Sequence, residues 1–429
     1  MGTEIHLTVG GVSLAFCKNH KGTDFGFLFQ DCDLTRRKME EIDYEYYEIH
    51  PENMTDLEMS EMVFARTLGR TVPRLELLNH TLKTARMEYE AVLKDAIEIA
   101  SNDDVSDKPV FLSFEEFCNL ACRYPLSVLK DAYIEYETPI LDKVAMGRFA
   151  VDAEEFARLP SDPYDRMYYS EKSFLSSNLC ILSAESMLQV FALNPANSEI
   201  EVVWEFGPLV SNGWASIDDF QAGVRRDQRV LVVTEGASDT RIIKLALETL
   251  RPDVADFFNF LDADECYHFW GTGNLVKFAE GLLRIDIQNR VLFILDNDAE
   301  GVSAYRKLRT LDFPANMGSM LLPELDEFRN FETRGPEGVN KADINGRAAA
   351  IECYLDLSLP NYGTAQVLWS NYKKDVGVWH GALEFKESYQ RHYFSQSGEV
   401  LRNGPYNSTK LRILLDTLIK EAGNVAFSV

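Results

Sequence analysis

Two stretches of the sequence decide the fold of the C-terminal half. "RVLVVTEGASDTRIIKLALETL" (residues 229–250) begins as an apolar strand and continues as a helix with apolar periodicity, with Glu235 at the junction. "RVLFILDNDAEGVSAYRKL" (residues 290–308) repeats this layout, with Asp296 and Asp298 directly after the strand. Burial disfavours the charged form of a carboxylate, so acidic residues at the ends of two buried strands require an explanation.

The segments around these stretches alternate between strand and helix patterns. The short run "FFNFLD" (257–262) predicts a further strand, and "GNLVKFAEGLL" (273–283) predicts the helix that follows it. Such alternation is typical of a mostly parallel sheet joined by crossovers. Sites in sheets of this kind form beyond the carboxyl ends of the strands, which is where Glu235, Asp296 and Asp298 fall.

The spacing of these acidic residues predicts a metal site. Asp296 and Asp298 are two apart, so both side chains project to the same side if the strand conformation persists. Together with Glu235 they would repel one another, and a divalent cation is the natural compensation. Oxygen ligands at a site open to solvent favour Mg²⁺ or Mn²⁺. A strand followed by Asp-x-Asp also occurs in phosphatase-like and receiver-like folds, whereas the glycine-lysine pattern of a P-loop is absent from the sequence.

Length and composition bound the class of protein. A chain of 429 residues exceeds one ordinary core, so two domains, or three, are expected. With 46% hydrophobic and 26% charged residues, the composition is that of a folded globular protein. The formal net charge of −25 argues against a generic nucleic-acid-coating protein, because phosphate binding depends on Lys and Arg. It leaves a nuclease open, since a metal-dependent site concentrates carboxylates.

Part of the negative charge is local. Residues 39–62 contain nine Asp or Glu and no Lys or Arg. This stretch is either a solvated face or a docking surface for a basic partner.

The N-terminal half, residues 1–222, is predicted to be a mostly helical α+β domain, and residues 223–429 form the second domain. Gly10 and Gly11 between two β-rich runs predict a tight hairpin. A long helix is predicted over 72–100, with Pro73 near its first turn. Ser113 and Glu116 predict a capping box at the start of a shorter helix.

The cysteines and the termini favour a cytoplasmic protein. The seven cysteines are scattered, and Cys118 and Cys122 lack a second pair at zinc-ligand spacing, so they are interpreted as buried structural thiols. No apolar run approaches the roughly 20 residues of a membrane-spanning helix. The N-terminal residues do not form a secretory signal.

The C-terminal motifs resemble a known family. "VVTEGASDT" followed by "FILDNDAEG" resembles the Toprim domain shared by topoisomerases, primases and the overcoming-lysogenization-defect (OLD) nucleases. The resemblance implies an α/β Toprim core at about residues 229–320, in which Glu235, Asp296 and Asp298 bind Mg²⁺ or Mn²⁺. Asp239 is similar to an additional acidic residue of the OLD-type nucleases, although it could equally cap a helix.

The resemblance extends more loosely to both ends of the chain. "AAAIECYL" (348–355) resembles the later acidic segment of those nucleases and implies that Glu352 helps to hold a second metal ion. "WHGALEFKESY" (379–389) suggests Lys386 as a cation near the scissile phosphate. The N-terminal "GTEIHLTVGGVSLAFCKN" (2–19) resembles the domain that precedes HEPN or Toprim modules in bacterial defence proteins.

These resemblances imply a Toprim endonuclease in anti-phage defence that cuts DNA or RNA, with transfer RNA among the candidate substrates. The OLD-type ATPase is not found in this sequence, so ATP use would require a partner. The alternatives are a non-catalytic module that binds nucleic acid or a partner, and a toxin-like subunit that a partner keeps silent. A homo-oligomer is compatible with each of these hypotheses.

Several residues have plainer interpretations. The glycine turn at 270–274 precedes a helix and is interpreted as a tight connection rather than a phosphate site. Asp262 and Asp264 are interpreted as solvated loop residues. No partner at ligand spacing accompanies the histidines at 268, 380 and 392, which are therefore interpreted as ordinary.

Overall fold

A computed structural model of the chain describes residues 2–39, 42–102, 109–133, 147–160, 169–261, 271–359, 362–374 and 376–426. The chain divides into two compact units, Met1–Gly223 and Val224–Val429.

The N-terminal unit contains a five-stranded antiparallel sheet. Its strands are β1 (Glu4–Val9), β2 (Val12–Lys18), β3 (Leu34–Arg36), β4 (Met62–Thr67) and β5 (Glu201–Glu205). They lie in the order β2-β1-β5-β4-β3, and every neighbouring pair is antiparallel. The predicted hairpin is confirmed: Gly10 and Gly11 join β1 to β2 with φ values of 58° and 80°, a left-handed conformation that glycine adopts without steric cost.

Nine helices of this unit lie in the described residues and pack around the sheet. They are α1 (Tyr44–Ile49), α2 (Met54–Ser60), α3 (Leu68–Leu77), α4 (Leu82–Asn102), α5 (Phe114–Cys122), α6 (Ala153–Ala157), α7 (Glu171–Leu179), α8 (Ala184–Ala192) and α9 (Gly207–Ser211). The predicted capping box is confirmed, because Ser113 Oγ accepts a hydrogen bond from the backbone of Glu116, and the carboxylate of Glu116 accepts one from that of Ser113.

The long helix predicted over 72–100 is wrong in one respect. The structure has two helices, α3 and α4, separated by a turn in which Asn79 has a φ of 64°. Thr81 then caps α4, with its Oγ1 accepting a hydrogen bond from the backbone of Thr84. Pro73 lies inside α3 rather than at the start of a helix.

The central strand β5 anchors the core of the N-terminal unit. Its alternating sequence "EVVWE" buries Val202 and Trp204. The Trp204 ring packs edge-on against Phe25 and Phe220, with centroids 5.9 Å and 5.3 Å away. The acidic stretch at 39–62 includes α1, a helix that buries none of its side chains.

The C-terminal unit is built on a parallel sheet. Its strands are β6 (Val230–Val233), β7 (Phe258–Phe260), β8 (Arg290–Leu295) and β10 (Met317–Leu321), in the order β10-β8-β6-β7. The pairings are parallel throughout. The connecting helices are α10 (Ala237–Leu250), α11 (Thr272–Arg284) and α12 (Ala299–Leu308). The predicted α/β fold with a parallel sheet is confirmed.

The described part of the C-terminal unit also contains other strands and three further helices. The strands are β9 (Asn297–Asp298), β11 (Phe331–Gly335), β12 (Gly338–Ala342), β13 (Ala348–Ala349), β14 (Val367–Lys373) and β15 (Val378–Leu383). β9 pairs with β13, and the other four form a sheet in the order β12-β11-β14-β15. The last helices are α13 (Lys386–Phe394), α14 (Gly398–Asn403) and α15 (Thr409–Asn424).

No single helix among the described residues has the length and apolar composition to cross a membrane, although α7 and α8, bent by 113° at a short break, pass that test as a pair. The thiols of Cys118 and Cys122 are unpaired, and burial raises the pKa of Cys118 to about 12, as suits a structural thiol. Asp262, Asp264 and His268 lie outside the described residues, as does the first residue of the glycine turn at 270–274.

Candidate metal centre

Two neighbouring parallel strands place the first acidic residues side by side. Glu235 follows β6, and Asp296 follows the adjacent strand β8. Glu235 Oε1 accepts a hydrogen bond of 3.1 Å from the backbone N–H of Asp296. The geometry expected from the carboxyl ends of a parallel sheet is therefore present for this pair.

Asp298 directly precedes helix α12. Its Oδ1 accepts hydrogen bonds from the backbone N–H groups of Glu300 (2.9 Å) and Gly301 (2.7 Å), so this carboxylate is the N-cap of the helix. Its side chain is only 13% exposed. Asp298 and Asn297 pair with β13, which extends the strand conformation beyond β8.

A third segment approaches from the later part of the chain. Asp296 Oδ1 accepts a hydrogen bond of 3.0 Å from the backbone N–H of Ile351. The next residue, Glu352, is only 4% exposed, and its Oε1 accepts a hydrogen bond of 2.7 Å from Gln390 Nε2. Glu352 is buried because it belongs to a short 3-10 helix, Ile351–Tyr354, all four residues of which are buried.

Asp239 lies in the first turn of α10. Its Oδ2 accepts a hydrogen bond of 3.1 Å from the backbone N–H of Gly236, and its Oδ1 accepts one of 3.1 Å from Ser238 Oγ. The helix-capping contact is therefore real. Asp239 nevertheless lies close enough to Glu352 for the charge of that carboxylate to affect its pKa.

Burial and neighbouring negative charges raise the pKa values of four of these carboxylates. Burial, together with the charges of Asp298 and Asp239, raises the pKa of Glu235 to about 8. Burial and the charge of Glu352 raise the pKa of Asp239 to about 7. Burial also raises the pKa of Asp296 and of Asp298, and the other four acidic residues add to the effect at Asp296. The five carboxylates thus share one region and repel one another.

Three basic side chains come to this region from the C-terminal part of the chain. Lys386 is exposed at the start of α13, and its charge lowers the pKa of Asp239. His380 on β15 has its Nδ1 3.8 Å from Asp298 Oδ2. Lys373, the last residue of β14, donates a hydrogen bond of 2.6 Å to the Oε1 of Glu300.

His380 and Lys373 were not predicted as neighbours of the site. The interpretation of His380 as an ordinary histidine misses its surroundings, because its Nδ1 is buried without a hydrogen-bond partner among the described residues and lies beside Asp298. Pairing of β14 with β15 brings both residues to the same end of the hairpin. The sequence contains no local spacing that predicts the pairing of β14 with β15.

The N-terminal unit matches a described family. The model of the HEPN/Toprim N-terminal domain 1 matches residues 1–228. The chain belongs to this family. No curated protein and no solved structure matches the chain.

Membership of the HEPN/Toprim N-terminal domain family indicates a nuclease-associated protein. The matched residues end before β6, so the family match is independent of the carboxylates at residues 235–352.

The chemistry of these side chains suits a hard divalent cation. Glu235, Asp296 and Asp298 each have one oxygen held by a backbone N–H, while the second oxygen makes no hydrogen bond within the described residues. Carboxylate oxygens are the ligands that Mg²⁺ and Mn²⁺ prefer. In the described part of the chain, however, no three His, Cys, Asp or Glu side chains are already arranged to hold a metal ion. Binding would therefore require side-chain rotation against the mutual repulsion, which a cation removes.

Proposed function

We propose that this HEPN/Toprim-associated protein is a metal-dependent phosphodiesterase that cuts DNA or RNA with a Toprim-type catalytic domain. The observation that carries the proposal is the group of five carboxylates around the ends of β6 and β8, in which burial and neighbouring negative charges raise the pKa values of Glu235, Asp239, Asp296 and Asp298. Structural ion pairs also perturb pKa values, but a group of like charges with raised pKa values is typical of a catalytic or metal site.

In this proposal, Glu235, Asp296 and Asp298 hold one Mg²⁺ or Mn²⁺ ion, and Asp239 and Glu352 help to hold a second. Such ions supply Lewis acidity that activates water and stabilises charge on the entering and leaving oxygens of a phosphodiester.

The chain's own residues orient these ligands. The backbone N–H groups of Asp296, Ile351 and Gly301 each fix one oxygen of a carboxylate and leave the other for an ion. This is the role that outer hydrogen bonds play at metal sites. Lys386, exposed near Asp239, would offset negative charge on the phosphate in the transition state.

We further propose a role in bacterial anti-phage defence in the cytoplasm, on either DNA or RNA including transfer RNA, with activity controlled by a partner such as an ATPase. The family match, whose description names HEPN and Toprim together, supports the association with nucleases on which this proposal rests. A homo-oligomer is compatible with the proposal.

The test is a cleavage assay with the Glu235→Gln variant. Labelled plasmid, single-stranded DNA and total RNA are incubated with the unaltered chain and the variant, with and without Mn²⁺. We expect metal-dependent cleavage by the unaltered chain and a loss of at least about a hundredfold in the variant, because one charged ligand is removed. Glu248→Gln, the same change at an exposed position of α10, is the matched control and should cut normally. Cleavage by Glu235→Gln at the unaltered rate would refute the site.

One observation favours a second candidate, a non-catalytic module that binds nucleic acid or a partner. Within the described residues, no three potential ligands stand arranged around an ion. Titration calorimetry with Mn²⁺ separates the two candidates. Binding that Glu235→Gln weakens supports the phosphodiesterase, whereas no binding to the unaltered chain supports the module.

A further inference from the structure

A cleft of about 470 Å³ is lined by Ala299 and Glu300, the two residues that directly follow Asp298. Helices α11 and α12 form its sides, and the end of β14 contributes Lys373. Glu300 links the cleft to the acidic residues: its backbone N–H donates to Asp298 Oδ1, and the residue lines the cleft.

The charge of the cleft is opposite to that of the chain. Lysines at 277, 307 and 373 line it, against the two carboxylates Glu280 and Glu300. The whole chain has 43 Lys and Arg against 68 Asp and Glu, so a local excess of lysine departs from the composition. One carboxylate is already neutralised in part, since Glu300 accepts a hydrogen bond of 2.6 Å from Lys373.

The lysines suit an extended polyanion better than a small phosphate compound. They lie on three separate elements, and Lys277 and Lys307 are exposed rather than gathered in an enclosed pocket. Binding of a nucleic-acid backbone depends on such exposed cations, because they displace the counterions of successive phosphates. The cleft also receives the first turn of α11, whose dipole adds positive potential.

We propose that this lysine cleft binds the phosphodiester backbone of the nucleic-acid strand that passes the carboxylates. This proposal rests on the proposed function, which places the nucleic acid at the carboxylates. It adds that the nucleic-acid strand continues from there into the lysine cleft. Binding through the cleft does not require a metal ion or cleavage, so it can be measured separately.

The test uses the full chain with the double substitution Lys277→Gln and Lys307→Gln. Binding is measured by fluorescence anisotropy in EDTA over a range of salt concentrations. The probes are labelled oligonucleotides of one sequence as single-stranded DNA, duplex DNA and RNA. The control is Lys244→Gln with Lys420→Gln, an equal change of charge at exposed lysines of α10 and α15. Thermal unfolding confirms that both variants are folded.

We expect the cleft variant to bind more weakly than the control. A plot of the logarithm of the association constant against the logarithm of salt concentration has a negative slope. Its magnitude should decrease by about 0.7 to 0.9 for each phosphate that a lysine no longer neutralises. The probe with the largest change in slope identifies the strand type. Equal affinities and slopes for the two variants would overturn the proposal, as would failure of the unaltered chain to bind any probe. If binding depends on the lysines but the chain neither cuts nucleic acid nor binds Mn²⁺, the cleft stands and the nuclease proposal falls.

Discussion

At the scale of single residues, the raised pKa values of Glu235 and Asp239 make stability depend on pH. A carboxyl group whose pKa is higher in the folded chain holds its proton more tightly when folded, so its contribution to the free energy of unfolding is lost as pH rises. For Glu235 the window runs from pH 4.5 to about 8, and for Asp239 from 3.8 to about 7. We therefore expect the melting temperature of the metal-free protein to fall across this range.

The Glu235→Gln variant is the control for this trend. The neutral amide has no charge to bury, so the variant should melt at a higher temperature than the unaltered chain near pH 8 and show a smaller dependence on pH. Differential scanning calorimetry in EDTA measures both. A melting temperature of the unaltered chain that rises between pH 5 and 8 relative to the variant would contradict the raised pKa.

His380 supports a second prediction at this scale. Its charge lowers the pKa of Asp298, from which its Nδ1 is 3.8 Å away. Replacing it in His380→Gln removes that effect, so Asp298 should keep its proton to higher pH and compete less well for a cation. We expect Mn²⁺ binding by calorimetry to weaken about tenfold near neutral pH, as for other outer-layer residues of metal sites, and to recover at alkaline pH. If the substitution weakens Mn²⁺ binding equally at neutral and alkaline pH, the role of His380 is purely structural.

Some residues of the candidate metal site could be predicted from the sequence, and others could not. Glu235, Asp296 and Asp298 could be singled out because they directly follow strands, and strand ends meet at one edge of a parallel sheet. Glu352 was tied to them only by resemblance, since its burial depends on a short 3-10 helix with no strong local pattern. His380 gave no signal, because long-range strand pairing places it.

At the scale of elements, the start of α12 depends on a glycine. A Cβ on Gly301 would lie 2.0 Å from the carbonyl oxygen of Asp296 and 3.0 Å from Glu235 Oε1. Gly301→Ala must therefore push the helix away from β8. We expect a loss of about 1 to 3 kcal/mol in the free energy of unfolding, as for overpacking elsewhere, together with weaker Mn²⁺ binding.

Gly281→Ala is the matched control for this prediction. It lies within α11, and its added Cβ would meet no atom within 4 Å. Alanine there should stabilise the helix by up to about 1 kcal/mol through its higher helix propensity. Urea denaturation of both variants gives the comparison, and equal stability of the two would remove the steric argument for Gly301.

The elements themselves were predictable where periodicity and turn chemistry agreed. The β1–β2 hairpin and the strands and helices from β6 to α12 follow from patterns within a short window. The break between α3 and α4 did not, because apolar periodicity continues through the turn; the structure shows the break in the backbone of Asn79 and in the cap at Thr81. Asparagine tolerates this left-handed conformation better than most residues, but its presence alone does not predict a turn.

At the scale of the whole molecule, the family match covers the N-terminal unit and ends at residue 228, before the first residue of the candidate metal site. Each unit has a sheet of its own, and the C-terminal unit has an apolar cluster formed by the sheet with α11 and α12. The division between Gly223 and Val224 interrupts no strand or helix of the described residues. A unit with its own core is expected to fold alone.

We therefore expect residues 224–429, expressed alone, to unfold cooperatively and to bind Mn²⁺ as tightly as the whole chain. All six predicted site residues, from Glu235 to Lys386, lie in this unit, and so do the backbone groups that orient three of the carboxylates. Thermal unfolding and calorimetry of the fragment and the full chain provide the measurement, with Glu235→Gln in both as control. A fragment that folds but has lost carboxylate-dependent binding would contradict this prediction.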